Sequence, residues 1–134
     1  GETVLLELAP VDPRSLMQGD YMRLRYRLEN EAGRMSSAVP HRGEGSLVVR
    51  LDARQVATFA RFDDGTPLAP NERRFRCRLQ SARVLIAPDS FMFQEGRATA
   101  FAAARYGIFK VDRRGNHLLV GLADGDYRQI LPED

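Results

Sequence analysis

Arg74-Phe75-Arg76-Cys77-Arg78-Leu79 is the stretch that decides the fold. Its alternation is strict: Phe75, Cys77 and Leu79 share one face, Arg74, Arg76 and Arg78 the other. Successive side chains of a strand point to opposite faces. The pattern is therefore a strand with one buried and one solvated face, as antiparallel sheets allow. The strand signal runs from Arg73 to Ile86, but its parity slips after Ser81, and Val84 and Ile86 continue on the other register. A bulge or sharp bend near Ser81-Ala82 would account for the slip, and small barrels close through such bends.

Working outward, Tyr21 to Glu29 alternates in the same way. Met22, Leu24, Tyr26 and Leu28 are expected inward, and Arg23, Arg25, Arg27 and Glu29 outward. Thr3 to Ala9 is a compact apolar run stopped by Pro10, which predicts a buried strand. Pro10 to Gly19 reads as a loop, and Asn30 to Gly45 as a second loop with a short helical turn. Ser46 to Asp52 and Gln55 to Phe62 read as a hairpin pair, followed by the turn cluster Asp63-Asp64-Gly65-Thr66-Pro67. Ile108 to Asp112 and His117 to Leu122 flank Arg113-Arg114-Gly115-Asn116, a second hairpin signal. Tyr127 to Ile130 is a candidate for a last short strand. Glu95 to Arg105 is alanine-rich, with Ala98, Phe101, Ala102 and Arg105 at helical spacing, and predicts a helix docked through Phe101 and Ala102. The sum is a mainly β chain with one packed α-helix. It is expected as a small barrel or strongly bent antiparallel sheet of about seven strands, in a single domain spanning residues 1–134.

The 134 residues suffice for a core without disulfide or metal staples. The single cysteine, Cys77, excludes an intrachain disulfide and reads as a small core hydrophobe. A net charge of +2 is close to balance and argues weakly for a nucleic-acid partner. Lys110 is the only lysine; the other basic residues are arginines. The rows Arg23-Arg25-Arg27 and Arg74-Arg76-Arg78 could form a basic face. Tyr26 and Phe75 lie on the opposite faces, so the aromatic platforms of a single-strand nucleic-acid site are missing. Solvated faces with carboxylate partners are the better reading of such rows, and anionic lipid headgroups are as plausible a target as nucleic acid if a membrane anchor precedes Gly1.

The densest group of special residues is Pro10-Val11-Asp12-Pro13-Arg14 followed by Gly19-Asp20-Tyr21-Met22-Arg23-Leu24-Arg25-Tyr26. Pro13 pushes Asp12 towards an extended backbone. Gly19 permits a sharp turn into the strand, and Asp20 is placed for an Asx-type turn. Gly-Asp-Tyr, then Leu, then Tyr at this spacing resembles the signature of the GDYXXLXY protein family. Pro-Val-Asp-Pro-Arg and the block Phe91-Met92-Phe93-Gln94-Glu95-Gly96 resemble it too. The resemblance implies a small bacterial protein with one N-terminal membrane anchor and an extracytoplasmic β-rich domain that acts with a multi-pass membrane protein. It brings no catalytic residue with it. On this reading the domain is a non-catalytic interaction module on the outer side of the bacterial inner membrane, and the anchor is expected upstream of Gly1. The alternative is a small-ligand binder or enzyme using a polar pocket in which Asp12, Arg14, Asp20, Tyr21 and Glu95 converge.

Other chemistries find little support. Ser15 ahead of Gly19-Asp20 resembles, at too short a spacing, the serine of type I signal peptidases, and Lys110 is the only lysine available as its base. His41 and His117 are isolated and make no zinc signature. No metal and no cofactor are expected.

Overall fold

The computed structural model describes residues 1–10, 17–35 and 42–133. Three antiparallel sheets curl into a half-barrel, so the chain is mainly β with a strongly bent sheet. One sheet joins β1 (Glu2–Glu7), β9 (Ala104–Val111) and β10 (His117–Asp124), with β9 in the middle. A second joins the short strands β2 (Met17–Gln18), β3 (Tyr21–Arg23) and β8 (Ser90–Met92). The third has the order β5-β4-β6-β7, from β4 (Gly43–Leu51), β5 (Ala57–Phe62), β6 (Glu72–Gln80) and β7 (Arg83–Leu85). Ten strands are present among the described residues against the expected seven, and the unexpected ones are among the two- and three-residue segments, too short to carry a periodic signal.

The alternation in β6 does what its sequence predicts: Phe75, Cys77 and Leu79 are buried, Arg76 and Arg78 exposed, and Arg74 half-buried. These apolar residues meet Leu47, Val49, Phe109, Val4, Leu6 and Leu122 in one core. Phe75 and Tyr26 each pack edge-on against Phe109, at 5.5 Å and 5.6 Å between ring centroids. The hairpin loop before β10 docks on the outside of this strand. Arg76 N–H donates to Gly115 O at 3.0 Å. A Cβ on Gly115 would lie 2.8 Å from the Arg74 carbonyl carbon, and its φ of +90° also favours glycine.

Four expectations are corrected. The parity slip after Ser81 is a complete hairpin turn and not a bulge: Ser81 and Ala82 have φ of +47° and +62°, and β7 pairs back onto β6 through Leu79↔Val84. Two left-handed residues in succession give the tight turn that suits the twist of a hairpin. The strand expected over Tyr21 to Glu29 ends at Arg23, and α1 (Arg27–Gly33) begins soon after. Met22, Leu24, Tyr26 and Leu28 are all buried, but Leu28 is buried as a helical residue, and Glu29 points inward where the alternation places it outward. The helix expected over Glu95 to Arg105 shrinks to α2 (Ala98–Phe101), and β9 starts at Ala104. Phe101 is buried as expected, against Phe91 and Phe93, whereas Ala102 is exposed. β9 is the central strand of its sheet, and pairing on both sides outweighs the local helical preference of the alanines. Tyr127 to Ile130 forms only an isolated bridge, Ala123↔Gln129, with Tyr127 stacked on Tyr106 at 4.9 Å.

Candidate functional site

The Gly-Asp-Tyr segment is a turn followed by a short strand. Gly19 has φ of +63° with open space where a Cβ would be, so its role is conformational. Asp20 O accepts from Phe93 N–H at 2.9 Å, and Asp89 O accepts from Leu24 N–H at 2.8 Å. Between these bonds β3 pairs with β8, Tyr21 opposite Met92 and Met22 opposite Phe91. The two sequence blocks singled out above, Gly19–Tyr26 and Phe91–Gly96, are thus tied together as one sheet. Leu24 and Tyr26, the later members of the signature, belong to the core at 1% and 0% exposure. The Tyr26 hydroxyl donates to Pro88 O at 2.6 Å, and burial holds its pKa far above the ordinary phenol value.

The residues expected to form a polar pocket are placed as follows. Asp12 and Arg14 lie outside the described residues, as do Ser15 and His41. Asp20 is exposed, and its carboxylate accepts no hydrogen bond among the described residues, so the Asx turn is not seen there. Tyr21 is half-buried on β3, and Glu95 is exposed in the turn before α2. Glu95 comes near the Gly-Asp-Tyr turn through the chain, two residues after Phe93, whose N–H donates to Asp20 O.

The carboxylate that is built in is Glu29. Its Oε1 accepts from Tyr26 N–H at 2.9 Å and its Oε2 from Ile86 N–H at 2.8 Å. The first bond is the reach-back of a helix capping box; the second ties α1 to the chain after β7. Burial raises its pKa, opposed by these two bonds and by the charges of Arg25 and Arg83. Cys77 is buried, which pushes its thiol up to about 11 and keeps it protonated and unreactive near neutral pH. The exposed Lys110 donates to Thr3 Oγ1 at 2.6 Å on the outside of the β1–β9 pair. His117 stacks on Phe75 at 4.0 Å, with Nδ1 3.0 Å from Gly115 O and Nε2 3.1 Å from Ala87 O. Both ring nitrogens thus face carbonyl oxygens, so the ring clips β10 to the Ala87 segment. Among the described residues no cluster of three or more His, Cys, Asp or Glu could hold a metal ion.

The two arginine rows do not make one basic face. Arg27 pairs with Glu7 at 3.1 Å, Arg74 with Asp63 at 3.0 Å and Arg76 with Glu44 at 3.6 Å. Arg23, Arg25 and Arg78 have no carboxylate partner among the described residues.

Sequence reasoning missed an apolar patch where β8 and β10 come together. Met92 and Leu118 are 70% and 67% exposed, and Val120 is 43% exposed two residues further along β10. A cavity of about 450 Å³ lies beside them, lined by Pro88, Phe91, Met92, His117, Leu118 and Leu119 among others. β10 is an edge strand. The C-terminal tail bonds to its later half through Ile130 N–H to Leu122 O at 2.8 Å and Asp124 N–H to Arg128 O at 2.9 Å, and among the described residues no strand pairs with the outer edge of His117–Val120. The signal was present in the run Leu118-Leu119-Val120: three apolar residues in a one-sided strand must put at least one outward.

The model of the GDYXXLXY protein family matches residues 1–122. No curated protein matches the chain. No solved structure matches it either. No helix among the described residues is long and apolar enough to cross a membrane.

Proposed function

The chain belongs to the GDYXXLXY protein family, and we propose that it is a non-catalytic interaction module whose partner is a multi-pass membrane protein. A segment upstream of Gly1 anchors it on the extracytoplasmic face of the bacterial inner membrane. The observation that carries this reading is the apolar patch of Met92, Leu118 and Val120 beside an open stretch of edge strand. Exposed apolar clusters mark interaction sites more often than isolated apolar residues do. An open edge offers backbone donors and acceptors that an extended segment of a partner can complete, while the cleft behind Leu118 receives its side chains. The patch includes β8, which the Gly-Asp-Tyr strand holds in register, so the family signature supports the docking surface from behind.

Site-specific photocrosslinking in intact cells tests the reading. A crosslinker at position 118 or 92 of the full-length protein is expected to capture a membrane-embedded polypeptide, and one at Asp64 on the far turn is not. In spheroplasts, externally added protease is expected to cleave the domain. Equal capture from all three positions, or protection of the domain until the membrane is lysed, would overturn it.

A further inference from the structure

The β6–β7 hairpin carries a second feature, of charged rather than apolar character. Two adjoining cavities of about 440 and 430 Å³ lie between α1 and this hairpin and share Arg25, Glu29, Arg83 and Leu85 as walls. Arg34, the residue that ends α1, lines the first, and Arg78 of β6 lines the second. Four arginines from separate parts of the chain thus line this pair of adjoining cavities.

The local carboxylates do not neutralise them. Glu29 has both oxygens committed to backbone N–H groups. Arg25 and Arg83 favour its charged form across space, but neither donates to it. Asp89 lines the second cavity and bonds no guanidinium among the described residues. Glu44 stands opposite Arg78 in the β4–β6 register, but its carboxylate pairs with Arg76. Arg25 is half-buried and, among the described residues, its side chain donates only to the carbonyl of its neighbour Leu24, at 3.1 Å. Four positive charges against two negative ones, in a cleft walled by protein, concentrate positive potential there.

We propose that this cleft binds a phosphate-bearing anion. Planar guanidinium forks match phosphate oxygens in pairs, and such charge-assisted bonds are stronger than neutral ones. The cavity volumes fall within the range of small-ligand sites and exceed a bare phosphate ion, so the cleft has room for a phosphoester headgroup. The same chemistry is offered by free phosphate compounds and by anionic phospholipid headgroups.

The test uses the 134-residue chain and follows arginine Nε–H signals by NMR. Titration with inorganic phosphate, then with pyrophosphate, at constant ionic strength is expected to shift Arg25 and Arg83 saturably, with pyrophosphate the tighter ligand. Chloride at the same ionic strength is expected to shift neither. Arg83→Gln is expected to weaken pyrophosphate binding ~10-fold, the scale of one charge-assisted contact, whereas Arg74→Gln, an equal loss of charge outside the cleft, leaves it unchanged. A parallel sedimentation assay uses vesicles of phosphatidylcholine with and without phosphatidylglycerol. Binding to the anionic vesicles that Arg83→Gln abolishes identifies a headgroup as the source; pyrophosphate binding without vesicle binding identifies a free phosphate compound. Non-saturable shifts spread over the surface arginines, or equal weakening by Arg74→Gln and Arg83→Gln, would show general charge attraction and overturn the proposal.

Discussion

The two ends of β6 handle the same residue in opposite ways. At its start, each arginine is paired with a carboxylate. Arg73 pairs with Glu2, Arg74 with Asp63, and Arg61 from the next strand but one grips Glu72 through two bonds of 2.7 Å and 3.1 Å. Glu72 also accepts from Ala69 N–H at 2.9 Å. At its end, Arg78 and Arg83 lie on the two arms of the β6–β7 hairpin, with no carboxylate bound to either among the described residues. The difference teaches that the arginine surplus is not spread at random. Where arginine builds the sheet it comes with an acid; where it borders the α1 cleft the one buried acid is spent on the backbone.

Glu29 decides whether this contrast is real, and its removal carries the largest expected effect. If its carboxylate serves the Tyr26 and Ile86 N–H groups, Glu29→Ala leaves two buried donors without partners, at ~1–3 kcal/mol each. Urea unfolding should therefore show a loss of ~2–5 kcal/mol. Glu29→Gln, which keeps one acceptor oxygen, should lose less. A negligible loss in Glu29→Ala would mean that the carboxylate is free to neutralise the arginines, and the cleft would no longer differ from the start of β6.

The response to acid separates the two ends next. The hydrogen bond from Arg61 holds the Glu72 pKa below its ordinary value, that from Arg73 does the same for Glu2, and that from Asn116 for Asp112. At Asp63, burial works the other way but the bonds from Gly65, Ser46 and Arg74 outweigh it. Groups whose folded pKa is depressed stabilise the fold above their unfolded values, near pH 4, and lose that contribution as pH falls through the folded ones. Glu29 has the opposite sign. Burial raises its folded pKa, so its contribution is greatest below the unfolded value and is lost as pH rises through the folded one. Stability should thus fall between pH 5 and pH 2, the range about these unfolded values. Glu72→Gln should make the fall shallower, and Glu29→Gln should make it steeper. Denaturation midpoints at a series of pH values check both signs; a shallower fall in Glu29→Gln would reverse the assignment of that residue.

How much of this was legible in the sequence follows from what each pattern depends on. The alternation over Phe75–Leu79 reports a strand directly, because period two has no other reading at that length. The alternation over Met22–Leu28 identified four core residues correctly and the element wrongly. Its last members are placed by a helix that starts at Arg27, where Glu29 caps Tyr26, and a glutamate three residues after a tyrosine is a faint cap signal. Ser81 and Ala82 take left-handed conformations without the glycine or asparagine that usually announces them, so the hairpin looked like a bulge. The cleft was hidden for the same two reasons. Arg78 and Arg83 are brought to one cavity by the unannounced turn, and Arg25 and Arg34 bracket the unannounced helix. The paired arginines were equally opaque, since Glu2 and Arg73 are brought together only by tertiary packing.

The smallest expected effect is the most direct comparison: the same substitution made at both ends of one strand. Arg74→Gln removes the guanidinium that lies 3.0 Å from Asp63, a carboxylate whose side chain is 14% exposed. Asp63 keeps the bonds from Ser46 Oγ and Gly65 N–H, both at 3.0 Å, so the loss is limited. Partial exposure of Arg74 screens the pair further, and ~1 kcal/mol is the expected cost. Arg78→Gln four residues on breaks no ion pair and relieves repulsion from Arg83, so stability should stay within ~0.5 kcal/mol of the parent or rise slightly. Urea midpoints at low ionic strength resolve a difference of this size. Raising the salt concentration should narrow the gap from both sides, because screening weakens the Arg74–Asp63 attraction and the Arg78–Arg83 repulsion alike. Equal losses in the two variants would mean that Arg78 has an anionic partner in the folded chain, and the contrast between the two ends of β6 would collapse.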